Sequence, residues 1–152
     1  MPVVPAYGAT ENRYVELLAS AARTASGTGS AVELKAAWTY LGVELIVTAA
    51  AAAVGDTLNV YLQQSIDDGT NWDDVASFTQ VLGNGGVLAH IASILRAGGL
   101  SAGEMHQATD ATLAAGTIRA QISARKFRIK WTIAGATPNF TFQVIAMPRT
   151  AP

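Results

Sequence analysis

The chain contains no cysteine among its 152 residues. Disulfides, thiolate metal sites and thiol nucleophiles are therefore excluded. Charge is scarce: Asp, Glu, Lys and Arg make up 14% of the residues, against about 25% in an average soluble domain. Ten Lys and Arg against eleven Asp and Glu leave a formal net charge of −1. There is thus no basic surplus of the kind that drives nucleic-acid binding. Histidine occurs only at His90 and His106. The most apolar stretch, Gly42–Val54, is interrupted by Glu44 and Thr48 and falls short of the roughly 20 residues that span a bilayer. Met1–Gly8 has neither a basic start nor a long apolar run, unlike a secretory signal. These absences predict a protein made in a cytoplasm, with neither nucleic acid nor membrane as partner.

Alanine is abundant, at 29 residues. Small side chains in series, at Ala49–Ala53 and Ala111–Ala115, fill a core poorly but permit close contact. They suit a chain that buries surface twice, first in its own core and then against partners or copies of itself. The expected self-assembly is a homotrimer, since closed cyclic symmetry is the common outcome for soluble assemblies. The length suits one domain with a core of its own.

Alternation of apolar and polar residues dominates the pattern, and period two is the mark of a strand. Arg13–Ala21 fits helix or strand, and the strand-like character of everything after it favours strand. Val32 and Leu34 alternate with Glu33 and Lys35. Leu41, Val43, Leu45 and Val47 form one row, with Gly42, Glu44 and Thr48 opposite and Ile46 breaking their polarity. Ala49–Ala53 favours helix by propensity alone, but five residues without caps do not nucleate one. It is read as the small-side-chain end of a strand, where another layer approaches. Leu58–Ser65 is the clearest strand, with Leu58, Val60 and Leu62 facing one way and Asn59, Tyr61 and Gln63 the other. Val75–Leu82 reads as the next strand, and Gly83-Asn-Gly-Gly86 as a hairpin turn from which Val87–Leu95 returns. Gly98–Gly116 is a long stretch without periodicity, the mark of a functional or mobile loop. Phe127, Ile129, Trp131 and Ile133 share a face, opposite Arg128, Lys130 and Thr132. Phe140, Phe142, Val144 and Ala146 form the last inward row, opposite Thr141, Gln143 and Ile145.

Eight or nine strands with turns between them and no convincing helix predict an all-β fold: an antiparallel β-sandwich, with a jelly roll first and an immunoglobulin-like sandwich second. The expected organisation is an extended arm at 1–8, one sandwich domain over 9–148 with a long loop at about 98–116, and a short tail at 149–152. The arm, with two prolines and no charge, is either a frayed end or a contact segment, in which case Val3, Val4, Pro5 and Tyr7 are its partner-binding residues.

Ser65-Ile-Asp-Asp-Gly-Thr-Asn-Trp72, followed by Asp73-Asp74, is the densest local signal. Asp side chains accept turn amides, Gly69 supplies positive φ, and Trp72 folds back on the strands. The string resembles the Asp-box of sialidase-like repeats, with Asn71 where that pattern has Thr, and the hairpin of discoidin-type carbohydrate-binding domains. Asp67, Asp68, Asn71, Asp73 and Asp74 offer oxygen ligands for calcium, but without the order or distal Glu of an EF loop. A solvated acidic turn is therefore expected, with no metal and no cofactor. No nucleophile elbow and no phosphate loop is present, and His90 and His106 are expected to be packed or surface histidines. The chain is expected not to be an enzyme. Arg119, Arg125, Lys126, Arg128 and Lys130 form the one basic cluster, spaced like one solvent-facing sheet edge. The cluster is read as a solvated face or as an ionic contact with an acidic partner, in which case Arg125, Arg128 and Lys130 are its partner-binding residues.

Two separated strings carry a resemblance. Leu58–Gln80 runs from a strand ending in Gln-Gln-Ser through Asp-Asp-Gly-Thr-Asn-Trp to Phe-Thr-Gln. Phe127–Val144 holds Arg-Ile-Lys-Trp-Thr, a Gly-Ala-Thr-Pro turn and Phe-Thr-Phe. Together they resemble small β-sandwich virion proteins of tailed bacteriophages, over about a quarter of the chain. The resemblance implies a structural role: a capsid decoration (cement) protein on the virion surface that binds and stabilises the assembled major capsid protein lattice. The alternatives are a tail or neck component and a carbohydrate-binding module, for which Trp38, Tyr40, Tyr61 and Trp72 are the aromatic platforms.

Overall fold

The computed structural model describes residues 14–34, 38, 40–85, 88–95, 106–119 and 124–149. Among them there are eleven strands and no helix: β1 (Val15–Arg23), β2 (Gly27–Thr28), β3 (Val32–Glu33), β4 (Tyr40–Ala49), β5 (Thr57–Ser65), β6 (Asp73–Ser77), β7 (Val81–Leu82), β8 (Leu88–Leu95), β9 (Thr117–Ile118), β10 (Lys126–Ala134) and β11 (Phe140–Arg149). Every strand pair is antiparallel. One sheet has the order β1-β11-β4-β8. The other has β2-β10-β5-β6-β9, with β3 also on β10 and β7 also on β5. The all-β sandwich expected from the alternation is what the chain forms.

The period-two rows meet between the sheets. Leu41, Val43, Leu45 and Val47 of β4 and Phe140, Phe142, Val144 and Ala146 of β11 are at most 1% exposed. Facing them are Leu58, Val60 and Leu62 of β5 and Phe127 and Ile129 of β10. Trp131 completes the β10 row: it packs edge-on against Phe142 with ring centroids 5.9 Å apart, and its indole N–H donates to the Ala25 carbonyl at 2.9 Å. Such buried rings carry a large share of the stability of a small domain.

The pairs are nested in sequence. The outermost is β1 with β11, then β2 and β3 with β10, then β4 with β8, and innermost β5 with β6 and β7. Successive pairs fall in alternate sheets. The turn Ile66–Asn71 lies at the centre of the nest.

Four local expectations are corrected. Val75–Leu82 is two short strands, β6 and β7, both on β5. Between them Phe78 leaves the ladder's register but still donates its N–H to the Val60 carbonyl at 3.0 Å. Gly83–Gly86 does not close a hairpin, because β8 pairs with β4 in the opposite sheet. Asn84 has φ 60°, and the strands on either side, β7 and β8, lie in different sheets; Gly86 and Val87 lie outside the described residues. Ala50–Ala53 follows the end of β4 and is a loop. Its small side chains do admit a close approach, from the turn after β7: the Asn84 N–H reaches the Ala51 carbonyl, and a Cβ at Gly83 would overlap the Ala53 carbonyl. In β1, both Leu17 and Leu18 are buried. Register shifts between Glu16 and Leu18 and between Leu18 and Ala21 break the simple alternation expected there, as bulges do.

Candidate functional site

Polar groups concentrate on the outer face of the sheet that contains β5. That face is normally solvated in an antiparallel sandwich, and Tyr61 and Gln63 were expected to lie open on it. Instead Tyr61 is 7% and Gln63 0% exposed, because residues 106–119 lie across the sheet as a strap. Its last part is β9, paired with β6 through Ala76–Ile118 and Ser77–Thr117.

Asp74 is the anchor. It is fully buried and takes the N–H groups of Ala111 and Thr112 at 3.0 Å and Leu113 at 3.2 Å. The Gln63 amide donates to Asp74 and to Asp110, both at 2.8 Å, and accepts from Arg128 Nε at 2.8 Å. Lys130 Nζ donates to both Asp110 oxygens at 2.7 Å. Hydrogen bonds from Lys130 and Gln63 hold the Asp110 carboxyl below its ordinary range against a weaker upward push from burial. At the strap's other margin, Asp73 accepts from the Thr109 N–H at 3.0 Å and Arg119 at 2.6 Å, and meets His106 Nε2 at 2.6 Å. Burial pushes the Asp73 carboxyl up, but His106, the Thr109 amide and Arg119 together outweigh it and leave it lowered.

The turn Ile66–Asn71 has the geometry its sequence implies. Asp67 accepts from the Asn71 backbone at 2.8 Å, the Asn71 side chain at 2.6 Å and the Ser65 hydroxyl at 2.8 Å. These bonds, the Asn71 amide first, lower its carboxyl to about 2. Asp68 and Gly69 have φ 62° and 96°; the second is a conformation glycine adopts without a Cβ penalty. Trp72 folds back, donating Nε1–H to the Gly69 carbonyl at 3.1 Å, and the Arg128 guanidinium sits 4.3 Å from its ring centroid.

The five basic residues are thus not one solvated edge. Arg119 is bound to Asp73, Lys126 to Asp68, and Lys130 to Asp110. Arg128 is held by Gln63 and Trp72. Of the three assigned to an acidic partner, Arg128 and Lys130 are engaged within the chain and Arg125 is exposed. Val3, Val4, Pro5 and Tyr7 lie outside the described residues. Of the aromatic platforms, Trp38 and Tyr61 are buried and Trp72 is covered by Arg128, which leaves Tyr40, 44% exposed on the other sheet. Among the described residues no group of three or more His, Asp or Glu is placed to hold a metal ion.

The outer face of the sheet β1-β11-β4-β8 was not singled out by sequence reasoning. The signals were Ile46 and Ile145, aliphatic residues in rows that otherwise read as outward and polar. Across that face the register sets Glu16, Ile145, Glu44 and Ile91 in one row from edge to edge. Met147 and Gly42 lie in the next. Ile91 is 78% and Tyr14 63% exposed. A shallow groove of about 220 Å³ runs between Tyr14, Gly42, Glu44, Ile91, Ile145 and Met147. No family model, no curated protein and no solved structure matches this chain.

Proposed function

We propose that the chain is a structural virion protein of a tailed bacteriophage, most concretely a capsid decoration protein that ties neighbouring capsomers together by surface burial. The observation that carries the reading is the strand order. Pairs nested in sequence and dealt alternately to two sheets support the reading of a jelly roll, a long hairpin ribbon wrapped on itself, which viral capsid and lectin domains share. Fold alone does not assign function; the Leu58–Gln80 and Phe127–Val144 strings point from the fold to the virion. The polar chemistry is consistent with that role. Asp74, Asp110 and Asp73 spend their oxygens on the chain's own amides and cations, which is construction and not catalysis.

The partners in this reading are the major capsid protein and, through a homotrimer, the chain itself, with the capsid surface as its location. Weak individual contacts suffice, because repeated engagement on a shell raises effective affinity. Mixing the purified protein with undecorated, expanded capsids and pelleting them tests the proposal: the protein is expected in the pellet, and recovery only in the supernatant overturns it. Immunogold labelling of whole phage separates head decoration from a tail or neck position. The arm is assigned to attachment. Deleting Met1–Gly8 is expected to leave the melting temperature of the domain unchanged and to weaken capsid binding or trimerisation; full retention of both makes the arm a plain terminus.

A further inference from the structure

We infer that the free edge of β8 pairs with the same edge of a second copy of this chain, antiparallel about a two-fold axis, so that the four-stranded sheets of two copies join edge to edge. The inference does not depend on the virion reading and goes beyond it. It starts from how the sandwich treats its edges. An edge strand offers a row of unpaired N–H and C=O groups, and soluble proteins blunt it by shortness, bulges, charge or proline. Among the described residues three of the four edges are blunted. β9 has two residues, and so do β2 and β3 at the other margin of that sheet. β1 is long, but register shifts interrupt it twice. It carries Glu16 and Arg23, and the Arg23 guanidinium occupies the Ala19 and Ala21 carbonyls. β8 has none of these devices. It runs Leu88-Ala-His-Ile-Ala-Ser-Ile-Leu95, with no Asp, Glu, Lys, Arg, proline or glycine. It keeps register with β4 at all eight positions, and no described strand lies on its other side.

The strand itself points to its own copy as the partner. Along β8 Ala92 is buried and Ile91 is 78% exposed. A two-fold axis normal to the sheet preserves its two faces, so outward residues meet outward ones and inward meet inward. Centred on Ile91, the pairing lays positions 88–94 against 94–88 of the copy. It sets Ile91 directly beside Ile91 of the second copy, and His90 beside Ala92. β-branched side chains pack well on such a pleated surface, and the most exposed side chain of the strand becomes the centre of the contact. Charge does not oppose it. Glu44 lies next to Ile91 in the same row, so the two Glu44 carboxylates stand three strand spacings apart, about 14 Å, beyond the screening length of about 8 Å. A strand without a formal charge has no means of choosing a foreign strand by charge. Its own copy is always present, equal in length, and available in the antiparallel sense. Since β8 is the one unblunted edge among the described residues, pairing uses it up and closes the assembly instead of propagating it.

The two-fold contact is separate from the three-fold one proposed above: alone it gives two chains, and together they give six. Sedimentation of the full chain at NMR concentration is expected to report two or six. A count of one or three overturns the inference, and three leaves the trimer standing; a count of two keeps the edge contact and removes the trimer. Amide exchange gives the signature of an edge. In an unpaired edge strand alternate N–H groups point to solvent, so dilution is expected to speed exchange at every second residue of 88–95 and to leave β1 as it was. A change at β1 instead, or none at β8, overturns the inference. Ile91→Glu sets like charges directly opposite each other, which disfavours pairing, and is expected to abolish the assembly through β8. The position is exposed, so the fold is kept, and the amide spectrum reports it. Mixing Ile91→Glu with Ile91→Lys is expected to restore the contact as mixed pairs. An Ile91→Glu chain that pairs as the wild type does, or a mixture that stays unpaired, overturns the inference. If Ile91→Glu does not fold, the dilution experiment on the wild type decides.

Discussion

The two outer faces of this sandwich differ in how their polar and apolar groups are satisfied. On the β5 side, the row Arg128, Gln63 and Asp74 runs across three neighbouring strands and is closed over by the strap, whose amides and Asp110 complete its hydrogen bonds. On the β4 side, Ile91 and Tyr14 stand in solvent, and Glu16 and Glu44 meet no cation among the described residues. One core supports both faces. One face has finished its contacts within the chain and the other has not.

The largest effect tests the shared core. Trp131→Ala is expected to cost about 3–5 kcal/mol, because the ring is 9% exposed and its N–H bonds Ala25. Chemical denaturation measures it, and a loss under about 1 kcal/mol would put the ring outside the core. Asp74→Ala comes next, at about 3 kcal/mol, since it strands the Ala111, Thr112 and Leu113 amides and one Gln63 donor without acceptors. Amide exchange should then accelerate at 111–113 well before it does in β4. Uniform acceleration everywhere would mean that the strap is not a separate layer.

Acid should distinguish the faces without a mutation. Asp73 and Asp110 are held below the ordinary carboxylate range in the folded chain. Their contribution is therefore present above the unfolded carboxylate value and is lost as pH falls through the lowered folded values. The protection of the amides at residues 109–113 relative to their intrinsic exchange rate is expected to fall on acidification below about pH 4, while the β4–β11 amides stay protected. At the Ile66–Asn71 turn, a carboxyl NMR titration should find Asp67 at about 2 and should find it raised in Asn71→Ala; an ordinary value in the wild type removes the turn's hydrogen bonds from the account. The smallest effect is on the open face. Ile91→Thr, at a side chain 78% exposed, is expected to change stability by less than about 0.5 kcal/mol in chemical denaturation of the dilute chain; a larger loss would mean that the side chain is packed within the chain.

The rows of β4, β10 and β11 were legible because each presents one face to the core and follows period two without interruption. The Ile66–Asn71 turn was legible because its bonds join residues at most four apart. What was not legible is non-local. Gly83–Gly86 carries turn chemistry, but turn chemistry does not say which sheet receives the next strand, and here it is the opposite one. Gln63 and Tyr61 looked outward and are outward. Their burial comes from a strap more than forty residues on, held largely by backbone amides, which leave no mark in a sequence. The adjacent Asp73 and Asp74 were the available hint: Asp is depleted in strands, and a pair inside one implies that something unseen is binding them.

The nested pairing also sets a route of assembly. Closing β5 on β6 spans only the turn between Ser65 and Asp73, whereas β1 and β11 are separated by nearly the whole chain, Val15 lying beside Ala146. Loop closure costs more as the loop lengthens, though only logarithmically, and each inner pair that forms shortens the span the next must bridge. The cheapest sequence of events zips outward from Asp67 and finishes with β1, so a polypeptide emerging from its N-terminus holds its first strand unpaired until its last one arrives.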